Sequence, residues 1–167
     1  MNVVLIGMPG CGKSTVGVLL AKALLYQFED TDLLLQNACK QSLCDLLETQ
    51  GLAAFKAIEN RVLSSLVCDN CVIATGGSAV YGSEAMAHLK QNAVTVYLKI
   101  TPEEAAARIQ NITTRGIVMP AGCTLEELYR ERAPLYERYA DVTIDCTGLT
   151  VEACVSAVSE ALNNRNS

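Results

Sequence analysis

The chain has 167 residues, 50% of them hydrophobic and 19% charged, with a formal net charge of −5 at pH 7. This composition predicts one globular domain and excludes a disordered chain. No apolar run approaches the ~20 residues that cross a bilayer, and no Lys/Arg cluster offers a surface for nucleic acid. The N-terminus shows no secretory signal pattern. We therefore expect a cytoplasmic monomer without membrane or nucleic-acid partners.

The first motif follows a short aliphatic run at residues 3–6, which predicts a strand buried on both faces. Gly7, four further residues, Gly12, Lys13 and Ser14 then give the phosphate-binding loop pattern G-x-x-x-x-G-K-[ST]. The glycines let backbone N–H groups point at phosphate oxygens, and the following helix directs its positive end towards them. Lys13 can reach the β- and γ-phosphates, and the Ser14 hydroxyl can ligate Mg²⁺. The sequence therefore predicts a polyphosphate site.

A helix is predicted over residues 13–25 and a second strand over residues 27–29. The apolar face predicted for the helix contains Val16, Leu19, Leu20, Ala23 and Leu24. Asp30 and Asp32 come at the end of that strand. Because ligands bind beyond the carboxyl ends of parallel strands, both carboxylates would share an edge with the phosphate loop. There a carboxylate can hold a Mg²⁺-bound water or orient a hydroxyl for attack. The alternative is a turn that caps the next helix. We favour a functional role for Asp32 and leave Asp30 between the two interpretations.

Residues 33–68 predict several helices and no strand, with a break at Gly51. Lys56 and Glu59 are three residues apart on one of these helices, so their side chains are neighbours able to pair. We expect residues 33–62 to form a helical subdomain that binds a small substrate.

Further strands are predicted at residues 71–74 and 94–98. The first is followed by Gly76 and Gly77, which fit either a tight turn or the close approach of the backbone to a ligand. Both interpretations stay open at this point. Thr101 starts the next helix as a cap.

Residues 111–123 show no apolar period, and they include threonines, glycines and a proline. Such a segment is typical of a lid, from which Arg115 can swing onto the phosphates, although a plain surface loop is the alternative. A capping box at Thr124 begins another helix, in which Pro134 should start a new helix or introduce a kink. A last strand at 142–144 precedes a terminal helix. Five strands alternating with helices predict a parallel sheet covered on both faces.

The chain has eight cysteines and one histidine. Cys68 and Cys71 form a C-x-x-C pattern, for which a metal or redox role is the minor alternative because no second pair or nearby histidine accompanies it. Buried thiols are the favoured interpretation. His88 lies on an amphipathic helix and is expected at the surface, which argues against a mechanism based on histidine.

Taken in order, five stretches resemble the motifs of the shikimate kinase family. They are the phosphate loop, Asp30-Thr31-Asp32, Phe55-Lys56-x-x-Glu59, Thr75-Gly-Gly-Ser-Ala-Val80 and Arg132-Ala-Pro-Leu-Tyr136. The resemblance implies one α/β domain over residues 1–167, with a three-layer αβα P-loop NTPase fold of the nucleoside monophosphate kinase-like type and a five-stranded parallel sheet. It also implies transfer of the ATP γ-phosphoryl group to the 3-hydroxyl of shikimate, giving shikimate 3-phosphate and ADP on the route to aromatic amino acids.

The resemblance implies roles for individual residues. ATP would be bound by Gly10, Cys11, Gly12, Lys13, Ser14, Thr15, Arg108 and Arg115, with Arg108 beside the adenine. Shikimate would be bound by Asp32, Lys56, Gly76, Gly77, Ser78 and Arg132, with backbone N–H groups from the two glycines and Arg132 on the carboxylate. Lys13, Asp32 and Arg115 are the implied catalytic residues. Mg²⁺ would be held by Ser14 directly and by Asp32 through water.

Three positions depart from the family's motifs. The arginine of Phe-Arg-x-x-Glu is Lys56 here, and lysine is a point charge where arginine grips a carboxylate with two parallel hydrogen bonds. The third glycine of Gly-Gly-Gly is Ser78, which would be strained if a positive φ were needed, or whose hydroxyl would read a substrate group. In the lid, Arg-Pro-Leu becomes Arg115-Gly-Ile. The alternatives are a kinase for another small acceptor, such as gluconate or homoserine, and a non-catalytic nucleotide-binding module.

Overall fold

One parallel sheet forms the centre of the protein, and the computed structural model describes residues 1–110 and 117–166. The strands of this sheet are β1 (Asn2–Ile6), β2 (Gln27–Asp30), β3 (Cys71–Ala74), β4 (Ala93–Lys99) and β5 (Val142–Asp145). They pair in the order β2-β3-β1-β4-β5, all parallel. The expected five-stranded parallel sheet is therefore confirmed.

Seven helices surround this sheet within the described ranges. They are α1 (Lys13–Leu24), α2 (Thr31–Cys39), α3 (Leu43–Ser64), α4 (Ser83–Lys90), α5 (Pro102–Gln110), α6 (Leu125–Tyr139) and α7 (Val151–Asn166), and a 3-10 turn covers Ala79–Tyr81. In the part of the chain that the structure describes, none of the helices has the length and apolar character needed to span a membrane.

The central strand β1 is buried along its whole length, as its aliphatic run predicts. It pairs with β3 on one side and β4 on the other, with Leu5 opposite Ala74. Beyond this pair, Thr75 donates both its N–H and its hydroxyl to the Leu5 carbonyl, at 3.2 and 2.8 Å. These bonds bring the segment after β3 beside the loop that follows β1. The two glycine-containing segments therefore meet at one edge of the sheet.

Helix α1 packs on the sheet through part of the predicted face, which includes Val16 and Leu20 but not Leu19. Leu19 is 37% exposed, whereas Val16, Gly17 and Leu20 are buried. A Cβ atom on Gly17 would lie only 2.7 Å from the Phe28 ring. The absence of a side chain there lets the helix approach β2 closely, and this approach fixes which face is buried.

Two helices follow β2, as the sequence predicts. Helix α3 begins at the cap Ser42, whose hydroxyl accepts a hydrogen bond from the Asp45 N–H at 3.1 Å. Gly51, with φ 82° and ψ 172°, interrupts the helical geometry where a break was expected. Phe55 and Leu63 bury the inner face. That residues 33–62 form a substrate-binding subdomain stays a prediction.

Helix α6 confirms one expectation and corrects another. The capping box is present, since Thr124 and Glu127 exchange hydrogen bonds of 3.2 and 2.8 Å. Of the two alternatives at Pro134, the start of a new helix is wrong, because α6 continues through this residue as one element. The side chains of Leu128 and Tyr136, on either side of it, are buried.

Candidate active site

The phosphate-binding loop connects β1 to α1 and wraps around one lysine. Gly10 and Gly12 have φ angles of 79° and 94°, a region that favours glycine. Lys13 is buried, and its Nζ donates to the carbonyls of Gly7 and Met8 at 2.8 and 2.9 Å. The ammonium group is thus fixed at the start of α1, where the helix presents its positive end. The arrangement suits a bound polyphosphate.

The side chain of Arg108, on α5, lies against this loop. It donates to the carbonyls of Gly10 and Cys11, at 3.5 and 3.3 Å, and forms an ion pair with Glu104. Glu104 also accepts the Gly148 N–H at 3.0 Å, which ties the loop after β5 to the same group. Arg108 therefore supports the phosphate loop, and Cys11 is buried behind it. Neither residue lines the main cavity.

A hydroxyl and a carboxylate meet beside the loop. Ser14 Oγ donates to Asp30 Oδ2 at 2.7 Å. The other oxygen, Asp30 Oδ1, accepts the Asp32 N–H at 3.0 Å and caps α2. Asp30 thus has the capping role and also contacts the expected Mg²⁺ ligand. In residues 1–110 and 117–166 no cluster of three His, Cys, Asp or Glu side chains could hold a metal, so a hard cation here would need oxygens from phosphate and water as well.

Asp32 faces Gly76 across the edge of the sheet. A Cβ atom on Gly76 would lie 2.7 Å from Asp32 Oδ1 and 3.0 Å from Glu59 Oε2. A turn is present here, since the Ala79 N–H donates to the Gly76 carbonyl at 3.2 Å; close approach of the backbone to a ligand stays a prediction. The Gly76 N–H is not the free donor expected, because it is donated to Thr31 Oγ1 at 3.1 Å. Thr31 is fully buried, and no signal in the sequence indicated this contact because its partner lies on a distant segment.

Arg132, from α6, is 1% exposed, yet it keeps one nitrogen unbonded. Its Nη2 donates to the Val118 carbonyl, and its Nε donates to Tyr81 Oη at 3.3 Å. Nη1 has no hydrogen-bond partner among the described residues. It lies 2.9 Å from where a Cβ atom on Gly77 would stand. A buried guanidinium nitrogen without a partner suits an anionic ligand, because a carboxylate supplies the missing acceptor.

Lys56 lies apart from the cavity wall. Its Nζ stands 3.8 Å from the centroid of the Tyr81 ring, in cation–π contact. The Tyr81 hydroxyl in turn donates to Glu131 at 2.5 Å. The expected pairing of Lys56 with Glu59 is wrong: among the ion pairs of the described residues, none joins these two. Lys56 contacts the Tyr81 ring instead, a partner that sequence spacing did not predict.

Ser78 is unstrained and bonded to a buried carboxylate. Its φ is −91°, so the strain that a positive φ would cause does not arise. Its hydroxyl donates to Glu59 Oε1 at 2.6 Å. Burial raises the pKa of Glu59 to about 7, the Ser78 bond opposes this shift, and the charge of Asp32 adds to it. Glu59 is the group that sequence reasoning undervalued, and its place in Phe55-Lys56-x-x-Glu59 was the available signal.

Replacing Glu59 with glutamine should stabilise the protein at high pH. The carboxyl pKa rises from 4.5 to about 7 on folding, so the native state favours the protonated form. That stabilisation is complete below pH 4.5 and is lost as pH rises through 7, by ~3 kcal/mol in all. Glutamine does not titrate. We expect the variant to gain about this amount over wild type at pH 8 and almost nothing at pH 4.5, in denaturant-unfolding curves.

The exposed Glu48 on the same helix supplies the matched control, since Glu48→Gln should change stability little at either pH. A Glu59→Gln variant whose stability relative to wild type did not depend on pH would contradict the assigned pKa.

These groups converge on one cavity between the phosphate loop, α2, α3 and α6. Its wall contains Pro9, Gly10, Gly12, Lys13, Ser14, Thr15, Asp32, Leu43, Phe55, Thr75, Gly76, Gly77, Ser78, Ile109, Ile117, Val118 and Arg132. Most of the predicted site residues are thus together, whereas Cys11, Lys56 and Arg108 do not line this cavity. Ile117 and Val118 belong to the predicted lid at 111–123. Residues 111–116, including the predicted catalytic Arg115, lie outside the described residues.

The C-x-x-C pair lies at the opposite end of the sheet, before and at the start of β3. Burial raises the pKa of Cys68 and brings that of Cys71 to about 12. Protonated thiols are poor nucleophiles and poor metal ligands. His88 is half-buried, with Nε2 2.7 Å from the Leu66 carbonyl, so the surface position expected for it is only partly met.

Comparisons with known proteins show the family of this chain. The family model for shikimate kinase matches residues 9–163. A shikimate kinase of Rippkaea orientalis is 39% identical, over 97% of this chain and 88% of that protein. One from Francisella tularensis subsp. holarctica is 35% identical, over 96% of this chain and 94% of that one. The structure of shikimate kinase from Acinetobacter baumannii in complex with shikimate is 27% identical, covers 98% of this chain and 93% of that chain, and has a TM-score of 0.89. The chain belongs to the shikimate kinase family.

Proposed function

We propose that this protein is a shikimate kinase, which transfers the γ-phosphoryl group of ATP to the 3-hydroxyl of shikimate in the cytoplasm, as a step towards aromatic amino acids. The observation that carries the proposal is the convergence of Lys13, Asp32 and Arg132 on one cavity. A phosphate site, a carboxylate and a guanidinium with one nitrogen left for a ligand are what a kinase for a hydroxylated acid needs. The relative that was solved with shikimate supports this acceptor.

In this proposal each group has a separate task. The phosphate loop binds the ATP phosphates through its N–H groups, and Lys13 neutralises charge on the transferred group. Asp32 orients the attacking hydroxyl and accepts its proton. Arg132 binds the acceptor carboxylate, which fixes the hydroxyl with respect to Asp32. Arg115 is proposed to act on the phosphates from the lid. Nothing in this scheme requires a second protomer, and we propose a monomer.

Mg²⁺ fits the oxygen ligands beside the phosphate loop. The Ser14 hydroxyl and the Asp30 carboxylate are 2.7 Å apart, and hard oxygen ligands are those that Mg²⁺ prefers. We propose that Ser14 holds the ion, with Asp30 or Asp32 contacting it through water. When bound there, the ion would neutralise charge on the phosphates.

The direct test is a coupled assay of ADP release with Mg·ATP and four acceptors: shikimate, quinate, gluconate and homoserine. We expect turnover with shikimate alone. Turnover with a different acceptor would move the protein to a related kinase activity, and ATP binding without any turnover would indicate a non-catalytic module. Since the relatives reported above are shikimate kinases, these alternatives serve only as outcomes of the test.

Lys56→Arg should lower the KM for shikimate by about two- to tenfold, because a guanidinium keeps the contact with Tyr81 and adds a planar fork for the carboxylate. Steady-state kinetics with saturating ATP measures this change. Lys40→Arg, at an exposed position after α2, is the matched control and should leave KM as it is. An unchanged or higher KM in Lys56→Arg would mean that the pocket is built around lysine.

A further inference from the structure

The buried Glu59 lies close to two cationic groups of the acceptor pocket, Arg132 and Lys56, without an ion pair to either among the described residues. Glu59 is 3% exposed, and its pKa responds to the charges of Asp32 on α2, Arg132 on α6 and Lys56 on its own helix. Nevertheless, none of the ion pairs among the described residues includes Glu59. A buried carboxylate is normally paired, because an unpaired charge is costly in an apolar interior. Something in the pocket keeps these charges separate.

Neutral groups occupy the positions where ion pairs would be expected. Ser78 Oγ donates to Glu59 Oε1 at 2.6 Å, and the Tyr81 ring takes the Lys56 ammonium at 3.8 Å. The Tyr81 hydroxyl also accepts from Arg132 Nε at 3.3 Å. The Glu59 carboxylate is thus bonded to a serine hydroxyl, and the cations of Lys56 and Arg132 both contact Tyr81.

This arrangement leaves two buried polar atoms without hydrogen-bond partners among the described residues, Glu59 Oε2 and Arg132 Nη1. They border consecutive glycines. A Cβ atom on Gly76 would lie 3.0 Å from Glu59 Oε2, and one on Gly77 would lie 2.9 Å from Arg132 Nη1. An acceptor and a donor of opposite charge thus stand near each other, unpaired, where the acceptor molecule is proposed to bind.

We propose that Ser78 is a positioning residue for the acceptor: its hydroxyl holds the Glu59 carboxylate away from Arg132, so that Arg132 Nη1 stays available for the anionic group of the substrate. This inference rests on the proposed function, because it requires an acidic acceptor. The pKa of Glu59 supports the geometry. The Ser78 bond is the largest influence that lowers it, ahead of Arg132 and Lys56, as expected if the cations are near but not bonded to it.

Removing the Ser78 hydroxyl should therefore weaken acceptor binding, because Glu59 would then compete with the acceptor carboxylate for Arg132. The Glu59 carboxylate would lose the donor to Oε1, and the guanidinium of Arg132 is the stronger of the two cationic influences on it. Once paired, Glu59 and Arg132 would have to separate before an acceptor carboxylate could bind. Because a charge-assisted hydrogen bond is at stake, we expect a rise of about 10-fold in the KM for shikimate.

The experiment compares wild type with Ser78→Ala in steady-state kinetics, varying shikimate and ATP separately. The expected result is the 10-fold rise in the KM for shikimate, with kcat and the KM for ATP changed less than about twofold. Ser64→Ala is the matched control. Its hydroxyl makes a hydrogen bond of the same length, 2.6 Å, to the Asn60 carbonyl on α3, away from the cavity. A merely structural loss of a serine hydroxyl would affect kcat or stability in both variants.

The double variant Ser78→Ala/Glu59→Gln tests the mechanism itself. A neutral amide cannot neutralise Arg132, so in the Glu59→Gln background the serine change should raise the KM for shikimate by less than about twofold. An equal effect of Ser78→Ala in both backgrounds, or no effect on KM in wild type, would overturn the inference while leaving the kinase activity standing. Absence of shikimate turnover in the wild-type protein would overturn the proposed function, and this inference with it.

Discussion

Asp32→Asn should reduce kcat for shikimate phosphorylation by about 10²–10⁴-fold, the range for loss of a general base. The amide keeps the size of the side chain but cannot accept the proton of the attacking hydroxyl. Asp32 lies at the edge of the cavity, its Oδ1 2.7 Å from the position of a Cβ on Gly76, and it is separate from the loop that binds phosphate. We therefore expect the Kd for ATP, from isothermal titration, to change less than about threefold.

Asp45→Asn is the matched control for this variant. Asp45 also occupies the first turn of a helix, α3, where it is exposed and bonded to the Ser42 hydroxyl at 2.8 Å. The control should keep kcat within about twofold, because the residue contacts no substrate group. Normal turnover in Asp32→Asn, or loss of ATP binding with turnover retained, would contradict the role assigned to Asp32.

Local chemistry made the nucleotide half of the site predictable. The aliphatic run of β1 needs burial on both faces, and the positive φ angles of Gly10 and Gly12 need glycine. The position of Asp32 followed from topology, since strands β2 and β3 end together, with Asp30 opposite Ala74. Each of these features depends on residues close in sequence or on a general rule of parallel sheets.

The acceptor half was less predictable because its contacts join distant segments. Helical spacing alone favours a pair between Lys56 and Glu59. In the structure Lys56 contacts Tyr81 and Glu59 is bonded to Ser78, and both partners come from the segment after β3. The Gly76 N–H is likewise taken by a side chain from another element, that of Thr31. The periodicity of apolar residues in a sequence does not predict contacts between such distant segments. Two of the three departures from the family's motifs, at positions 56 and 78, are understandable only once their contacts with Tyr81 and Glu59 are seen.

Arg132→Lys is the substitution for which we expect the largest effect on acceptor binding. Lysine retains the charge but loses the planar fork, two arms of which bond to Tyr81 and Val118 while Nη1 stays open. Loss of one charge-assisted hydrogen bond of 1.5–3 kcal/mol corresponds to a rise of about 10–150-fold in the KM for shikimate. The KM for ATP should stay within about twofold, because Arg132 contacts no part of the phosphate loop through the hydrogen bonds described for it.

Because Arg132 is 1% exposed, the variant must first be shown to be folded, by its thermal unfolding curve. Arg130→Lys provides the comparison: it lies two residues away on α6, exposed, in an ion pair with Glu126 at 2.6 Å. Surface pairs of this kind contribute little, so both stability and KM should be as in wild type. A folded Arg132→Lys enzyme with a wild-type KM for shikimate would show that the acceptor carboxylate binds elsewhere. In that case the unpartnered Nη1 would need a different ligand.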